Sequence, residues 1–312
     1  MAYSQTFTWG NTTFTLTAET QFGIMYGEGE EIVYGAPSGA PYLSQLLWDI
    51  KPLTYFGAGL SLVVKNPALP VGFFTGLLVK AGIPGFTGSM EDRDWQDNDQ
   101  QYLTNFSTHD NYTAGAFFLD YDLGVSIPIR LTEKRTMDLK IFGRFSWMDL
   151  EWISYDGYLQ YGAHSYGSPD YGPWDASLAK TYSYGPAVGY NQVWILAAPG
   201  IAADIPVGDL FSIGVSFTIS PFIWANAYDS HFKRELQFKD YPSGGLMLEP
   251  WGELVFSPNE RLAIALHGSY RYISGAQGDG YHRITTGEYV LDGSGGAGYY
   301  ALNAGLSLKV RL

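Results

Sequence analysis

The sequence predicts an all-β fold, a transmembrane antiparallel up-and-down β-barrel of about ten strands, and three observations carry that reading. Apolar and polar residues alternate with a period of two in several segments. Connections between segments alternate between short and long, and aromatic residues and glycine are both abundant. The 312 residues are 46% hydrophobic and 16% charged. Every apolar run is nevertheless broken well short of the ~20 residues that a membrane helix requires.

The aromatic share is 16%, with 24 Tyr, 18 Phe and 9 Trp beside 38 Gly. A barrel in lipid uses aromatic girdles at both interfaces and small residues where strands bend or crowd, which explains both excesses together. A soluble β-protein that binds carbohydrate through its Tyr and Trp is the alternative that composition leaves open. The absence of Cys excludes disulfides and a thiolate nucleophile. With 18 Lys+Arg against 31 Asp+Glu the net charge is −13, which argues against nucleic acid and favours cationic partners. Met1-Ala2-Tyr3-Ser4 has neither the basic nor the apolar region of a secretion signal, so localisation is inferred from the body of the chain.

Along the chain, the connections read as long (Gly27 to Tyr42), short (Asn66 to Pro70), long (Phe86 to Tyr112), short (Thr132 to Thr136), long (Ser154 to Tyr184), short (Val207 to Asp209), long (Phe232 to Ser243), short (Ser257 to Arg261) and long (Gly275 to Gly296). Short periplasmic turns and long outer loops give outer-membrane barrels this asymmetry. The segments between them number about ten and use the whole chain, 1–312, as a single barrel domain with both termini on the periplasmic side. Several exceed the roughly 9–11 residues that cross a bilayer, so strands should project beyond it.

Three segments show the alternation best. In Leu210 to Phe222, Phe211, Ile213, Val215, Phe217 and Ile219 oppose Ser212, Ser216, Thr218 and Ser220. Leu262 to Tyr272 places apolar or aromatic residues at even positions, and Leu302 to Leu312 sets Leu302, Ala304, Leu306, Leu308, Val310 and Leu312 against Asn303, Ser307, Lys309 and Arg311.

Of the five His, His267 faces the lumen within a strand and reads as an interior hydrogen-bonded imidazole, whereas His164 and His282 read as surface residues of long loops. His231 follows Asp229 by two, so in extended chain both side chains point the same way, and a carboxylate there can orient the imidazole as a general base requires. Asp92 and Asp94, in Met90-Glu91-Asp92-Arg93-Asp94-Trp95-Gln96-Asp97, are also two apart. Neighbouring carboxylates raise one pKa and can share a proton or hold a water. Taken alone, the first pair is a weak signal, and the second reads as an acidic loop or a divalent-cation site.

The segment Gly88 to Asp97 resembles the Met-x-Asp-x-Asp-Trp-x-Asp of the omptins, outer-membrane endopeptidases of Gram-negative bacteria with ten-stranded barrels, and Asp229-Ser230-His231 resembles their Asp-x-His. Further matches are Glu31-Ile32-Val33-Tyr34, Ser44-Gln45-Leu46, Gly189-Tyr190-Asn191-Gln192 and Ala304-Gly305-Leu306. The resemblance implies a protease of the outer membrane, acting on polypeptides at the barrel mouth. Asp229 and His231 would activate a water while Asp92 and Asp94 position it and handle protons. It also implies that Glu31 helps bind a basic side chain before the cleaved bond, that Met90 belongs to the substrate-binding set, and that Ser107 and His109 shape the groove. Neither a metal nor an organic cofactor is expected; outer-membrane lipid is, with lipopolysaccharide as the activating partner, around a monomer.

Departures from the family pattern are equally specific. Ala227, Asn105 and Phe106 stand where the family carries acidic residues, and Arg144-Phe145-Ser146-Trp147-Met148 does not reproduce the family's lipopolysaccharide-binding set. A non-catalytic barrel on the same scaffold, an adhesin or a narrow pore, is the alternative function. Unbroken alternation from Phe211 would also turn Asp229 and His231 toward lipid, so a β-bulge or strand break is expected between Phe222 and Tyr228.

Overall fold

In the computed structural model, residues 6–34, 43–97, 101–133, 135–163, 171–284 and 286–312 are described. Ten long strands make a closed antiparallel ring. They are β1 (Thr12–Tyr34), β2 (Ser44–Lys65), β3 (Gly72–Gly82 continuing as Gly85–Asp94), β4 (Asn105–Arg130), β5 (Thr136–Tyr161), β6 (Pro186–Pro206), β7 (Phe211–Ser220 continuing as Phe222–His231), β8 (Leu236–Asp240 continuing as Met247–Phe256), β9 (Leu262–Ile284) and β10 (Val290–Arg311). Each strand pairs with its sequence neighbours, and β10 closes the ring on β1 from Ser294↔Tyr34 to Arg311↔Thr17. Among the described residues closure leaves no unpaired edge strand in the ring, the condition for a sheet to sit in lipid. No helix among the described residues is long and apolar enough to cross a membrane; the elements that can do so here are strands.

The expected alternation is present. Ile264, Leu266, Tyr270 and Tyr272 lie exposed on the outer wall while Ala265, His267 and Arg271 are buried in the lumen. Likewise Leu302, Leu306 and Leu308 face out and Asn303 and Ser307 face in. His267 is the satisfied interior imidazole that the sequence suggested. Tyr55 Oη donates to Asn303 Oδ1 (2.7 Å), so His267 Nε2 donates to Tyr55 Oη (3.0 Å) and its Nδ1 accepts from Ser307 Oγ (2.9 Å).

The long connections differ from expectation. Strands continue through most of Phe86 to Tyr112 and of Gly275 to Gly296, and a hairpin with only residues 232–235 between its strands replaces the loop Phe232 to Ser243. His282 is therefore a half-buried residue of β9 beside Phe238 rather than a loop residue, and His164 lies outside the described residues. The 26-residue strands β4 and β5 are far longer than the roughly 9–11 residues that cross a bilayer, so a tall rim stands above the apolar band.

The re-aiming of β7 occurs at Pro221, one residue before the expected window. Thr218 pairs with Gly200 and Phe222 with Ala197, so the β7 side uses four steps where β6 uses three. That single extra residue is a bulge. Pro221 offers no N–H to the ladder, and Ser220 Oγ replaces the lost bonding by accepting from the Phe222 amide (3.0 Å) while donating to the Ala197 carbonyl (2.6 Å). Beyond it the parity reverses. Phe222 and Trp224 face out, and Ile223, Ala225, Ala227 and Asp229 face in.

At mid-height the lumen is filled. The Tyr190, Trp48 and Trp152 rings form a triangle, with centroids 5.3 Å (Tyr190–Trp48), 5.9 Å (Tyr190–Trp152) and 6.2 Å (Trp48–Trp152) apart, and Met90, Met148, Leu150, Trp194 and Ile223 belong to the same cluster. Gly29 makes this possible, because a Cβ there would lie 2.7 Å from the Trp152 ring. These side chains form the floor of the site described next.

Candidate active site

Two strands on different sides of the mouth carry the candidate groups. On β3, Asp92 and Asp94 point inward between β2, where Leu46 and Ser44 are their partners, and β4, where Ser107 and Asn105 are. On β7, Asp229 and His231 lie between β6, opposite Tyr190 and Val188, and β8, opposite Phe238 and Leu236. The parity reversal at Pro221 puts His231 on the inside. Without it the imidazole would face lipid.

His231 Nε2 lies 2.7 Å from Asp229 Oδ2, and Asp229 is 2% exposed. The carboxylate thus takes the Nε2–H and leaves Nδ1 as the basic nitrogen. The Phe238 ring stands edge-on to the imidazole at 5.5 Å and limits its rotation. Burial disfavours protonated His231, but the Asp229 charge and hydrogen bond outweigh it with help from Asp92, and the pKa ends above 6.5.

Across the groove, Asp92 is pushed up to about 7, first by burial and then by the Asp94 charge. Asp94 is raised by burial too, against hydrogen bonds from Ser44 and Asn105 and the Arg234 charge. Ser44 Oγ also lies 3.3 Å from Asp92 Oδ1. Since the charge of His231 acts on Asp92 and that of Asp92 on His231, the pairs face one another across one space.

Glu31, on β1, joins this space from a third side. It is 1% exposed, and burial followed by the charges of Asp229, Asp240 and Asp92 raises its pKa well above the usual carboxylate range. Ser107 is buried directly opposite Asp92. Met90 and His109 are paired one step lower: Met90 is part of the floor, and His109 Nδ1 is bonded to the Asp156 carbonyl, with burial lowering its pKa. The eight residues singled out in the sequence therefore occupy one mouth. Five of them, Asp92, Asp94, Asp229, His231 and Glu31, are linked electrostatically; Ser107 flanks them, and Met90 and His109 support them from below.

Sequence reasoning did not single out Asp240, Arg234 or Tyr161. Asp240 and Arg234 fell in a segment read as loop; the charge of Arg234 reaches Asp92 and Asp94, and it hydrogen-bonds Tyr161. No three His, Asp or Glu among the described residues come close enough to hold a metal ion.

The sequence matches the model of the Omptin family over residues 12–312. The chain belongs to the omptins. A plasminogen activator of Yersinia pestis is 25% identical over 311 residues, covering 95% of this chain and 89% of the relative. The crystal structure of the outer membrane protease OmpT from Escherichia coli superposes with a TM-score of 0.80 at 17% identity, covering 99% of this chain and all of that one. This omptin is thereby placed among the outer-membrane proteases of Gram-negative bacteria, and the mouth of its barrel is where its buried acid and base groups meet.

Proposed function

We propose that this omptin is an endopeptidase whose water is activated by His231, held by Asp229, opposite the Asp92–Asp94 pair. The observation that carries the reading is the 2.7 Å His231–Asp229 contact inside the mouth, facing a carboxyl pair whose pKa is raised toward neutrality. His231 Nδ1 takes a proton from the water as its oxygen bonds to the scissile carbonyl carbon. The C–N bond then breaks, and the protonated imidazole, or the acid form of Asp92, returns a proton to the leaving amine. Asp92 is pushed up to about 7 and the pKa of His231 is raised by Asp229, shifts that suit a proton relay. Glu31 supports a preference for a basic side chain before the cleaved bond, since a cation entering the groove would favour the charged form of its buried carboxyl and pair with it.

Arg144, the cation in the stretch compared with the family's lipopolysaccharide site, points into the lumen and pairs with Asp122 and Glu249. A lipopolysaccharide requirement would have to rest on other residues. The test is cleavage of a mixed peptide library by the folded protein, with and without lipopolysaccharide, beside His231→Ala. Cuts that disappear in the variant are expected, enriched in Arg or Lys before the bond. Equal cutting by the variant would remove the mechanism.

A further inference from the structure

Position 227, two before Asp229, holds an alanine buried in the lumen wall. Its cross-strand partner on β8 is Asp240. Residues directly opposite in an antiparallel pair share a face with Cβ atoms about 5 Å apart, so the neighbouring strand returns a carboxylate to the place where β7 has only a methyl group.

Space is cleared for it. A Cβ on Gly295 would lie 2.1 Å from the Asp240 carboxyl carbon, and one on Gly280 would lie 2.8 Å from its Oδ1. Asp240 is 5% exposed, so this carboxylate is built into the wall and does not trail in solvent. It lies over β9 and β10 toward β1, where Glu31 is.

Glu31, Asp229 and Asp240 surround one small volume. Asp229 and Asp240 are the two strongest charges acting on Glu31, and the charges of all three act on the Tyr190 hydroxyl. Glu31 Oε2 and Asp229 Oδ1 are buried without a hydrogen-bond partner. A buried acceptor left unmade carries the full desolvation cost of that group, and three carboxyl groups in one volume repel. Their spacing does not suit a metal ion. A planar cation with several donors relieves both problems at once, since it can reach more than one carboxylate.

We infer that Asp240 is a specificity-determining residue of this omptin, completing with Glu31 and Asp229 a pocket for the guanidinium of an arginine side chain in the substrate. The inference rests on the peptide-binding reading above and names a residue that the Asp-x-His and Asp-x-Asp motifs do not contain. Because Asp240 comes from β8, the acidic pocket survives alanine at position 227.

The test uses two fluorescent peptides that differ only in carrying arginine or its neutral isostere citrulline before the cleaved bond. Their affinities are measured on His231→Ala protein, so that turnover does not intervene. Arginine should be favoured, and Asp240→Asn should reduce the arginine-to-citrulline ratio about tenfold or more, as loss of a hydrogen bond to a charged group does. Ala227→Asp placed on Asp240→Asn should restore the ratio from the other strand, a rescue that a merely structural role for Asp240 would not show. An unchanged ratio in Asp240→Asn, or no arginine preference in the starting protein, would overturn the inference. Cleavage by the protein with His231 intact is scored separately. Asp240-dependent arginine preference without cleavage would keep the pocket and discard the catalytic reading, whereas cleavage with no dependence on Asp240 would do the reverse.

Discussion

The lumen holds two clusters of buried charge, one below the aromatic floor and one above it, and they are built on opposite principles. Below, Arg271 reaches Asp120 (2.9 and 3.1 Å) and Glu249 (2.8 Å), while Arg144 is bidentate on Asp122 (2.8 Å twice) and touches Glu249 (3.0 Å). Each carboxylate there has a guanidinium. Above, Glu31, Asp92, Asp94, Asp229 and Asp240 crowd into one mouth with His231 and the exposed Arg234 as the cations that act on them. The lower cluster pairs every carboxylate and leaves only the Arg271 Nε donor unmet, so it serves the wall; the upper one keeps unmet acceptors on Glu31 and Asp229 and displaced pKa values, which are useful only when a substrate arrives.

The comparison breaks most sharply at its reactive group. His231→Ala should lower peptide turnover by about 10²–10⁴-fold while the barrel stays folded, because the wall is closed by its backbone ladder from Ser294↔Tyr34 to Arg311↔Thr17 and not by this side chain. Folding is checked by heat-modifiable migration on gels, and turnover with a quenched fluorescent peptide. Activity within a few-fold of the parent would show that the upper cluster is merely an acidic rim.

Arg271→Ala is the matching lesion below the floor. Removing one partner of a buried ion cluster leaves uncompensated charge and typically costs about 3–5 kcal/mol. Resistance to urea in lipid vesicles should therefore fall while turnover per folded molecule holds. If turnover collapsed and stability did not, the division of labour between the clusters would be wrong.

The sequence made the two clusters unequally visible. Period-two alternation marks a wall with lipid on one side, so the strands carrying His267 and Arg271 were legible, down to the orientation of the histidine. Above the lipid, both faces of the wall meet water and the alternation fades, which is why the strand ends around His109, Asp240 and His282 read as loops. The two motifs marked Asp92, Asp94, Asp229 and His231 through spacing and resemblance. Asp240 was hidden because its partnership with Ala227 depends on a hairpin register that residues 232–235 alone determine. The bulge was deducible from parity, and Pro221 itself was the local signal that would have placed it.

Charge crowding above the floor also predicts that function costs stability there. Asp92 is raised from 3.8 to about 7 in the folded chain, so below about pH 4 it is protonated whether folded or not, and the folded state suffers no penalty. The penalty grows as pH rises through that window and is complete above it. Asp92→Asn should accordingly stabilise the protein by about 1–3 kcal/mol at pH 8 and leave it unchanged at pH 4, measured as thermal midpoints in detergent, even as turnover falls. Destabilisation at pH 8 would mean that the carboxylate is structural, like those below.

The smallest effect belongs to Arg234, whose charge lowers the pKa of Asp92, Asp94 and His231 from an exposed position beside the hairpin turn. His231 works as a base only when neutral, and its pKa is raised, so activity should fall as pH drops through a value above 6.5. Arg234→Gln removes a repulsive cation, which makes His231 easier to protonate and moves that acid limb to higher pH. Because the guanidinium is solvated, the move should be a few tenths of a pH unit at low salt and should shrink further above about 0.5 M salt, where the Debye length falls to only a few ångströms. Rate profiles of both proteins at the two ionic strengths decide it. A shift toward acid would show that Arg234 acts on the imidazole by contact instead of by its field, and a shift indifferent to salt would place its charge inside the groove, with the substrate.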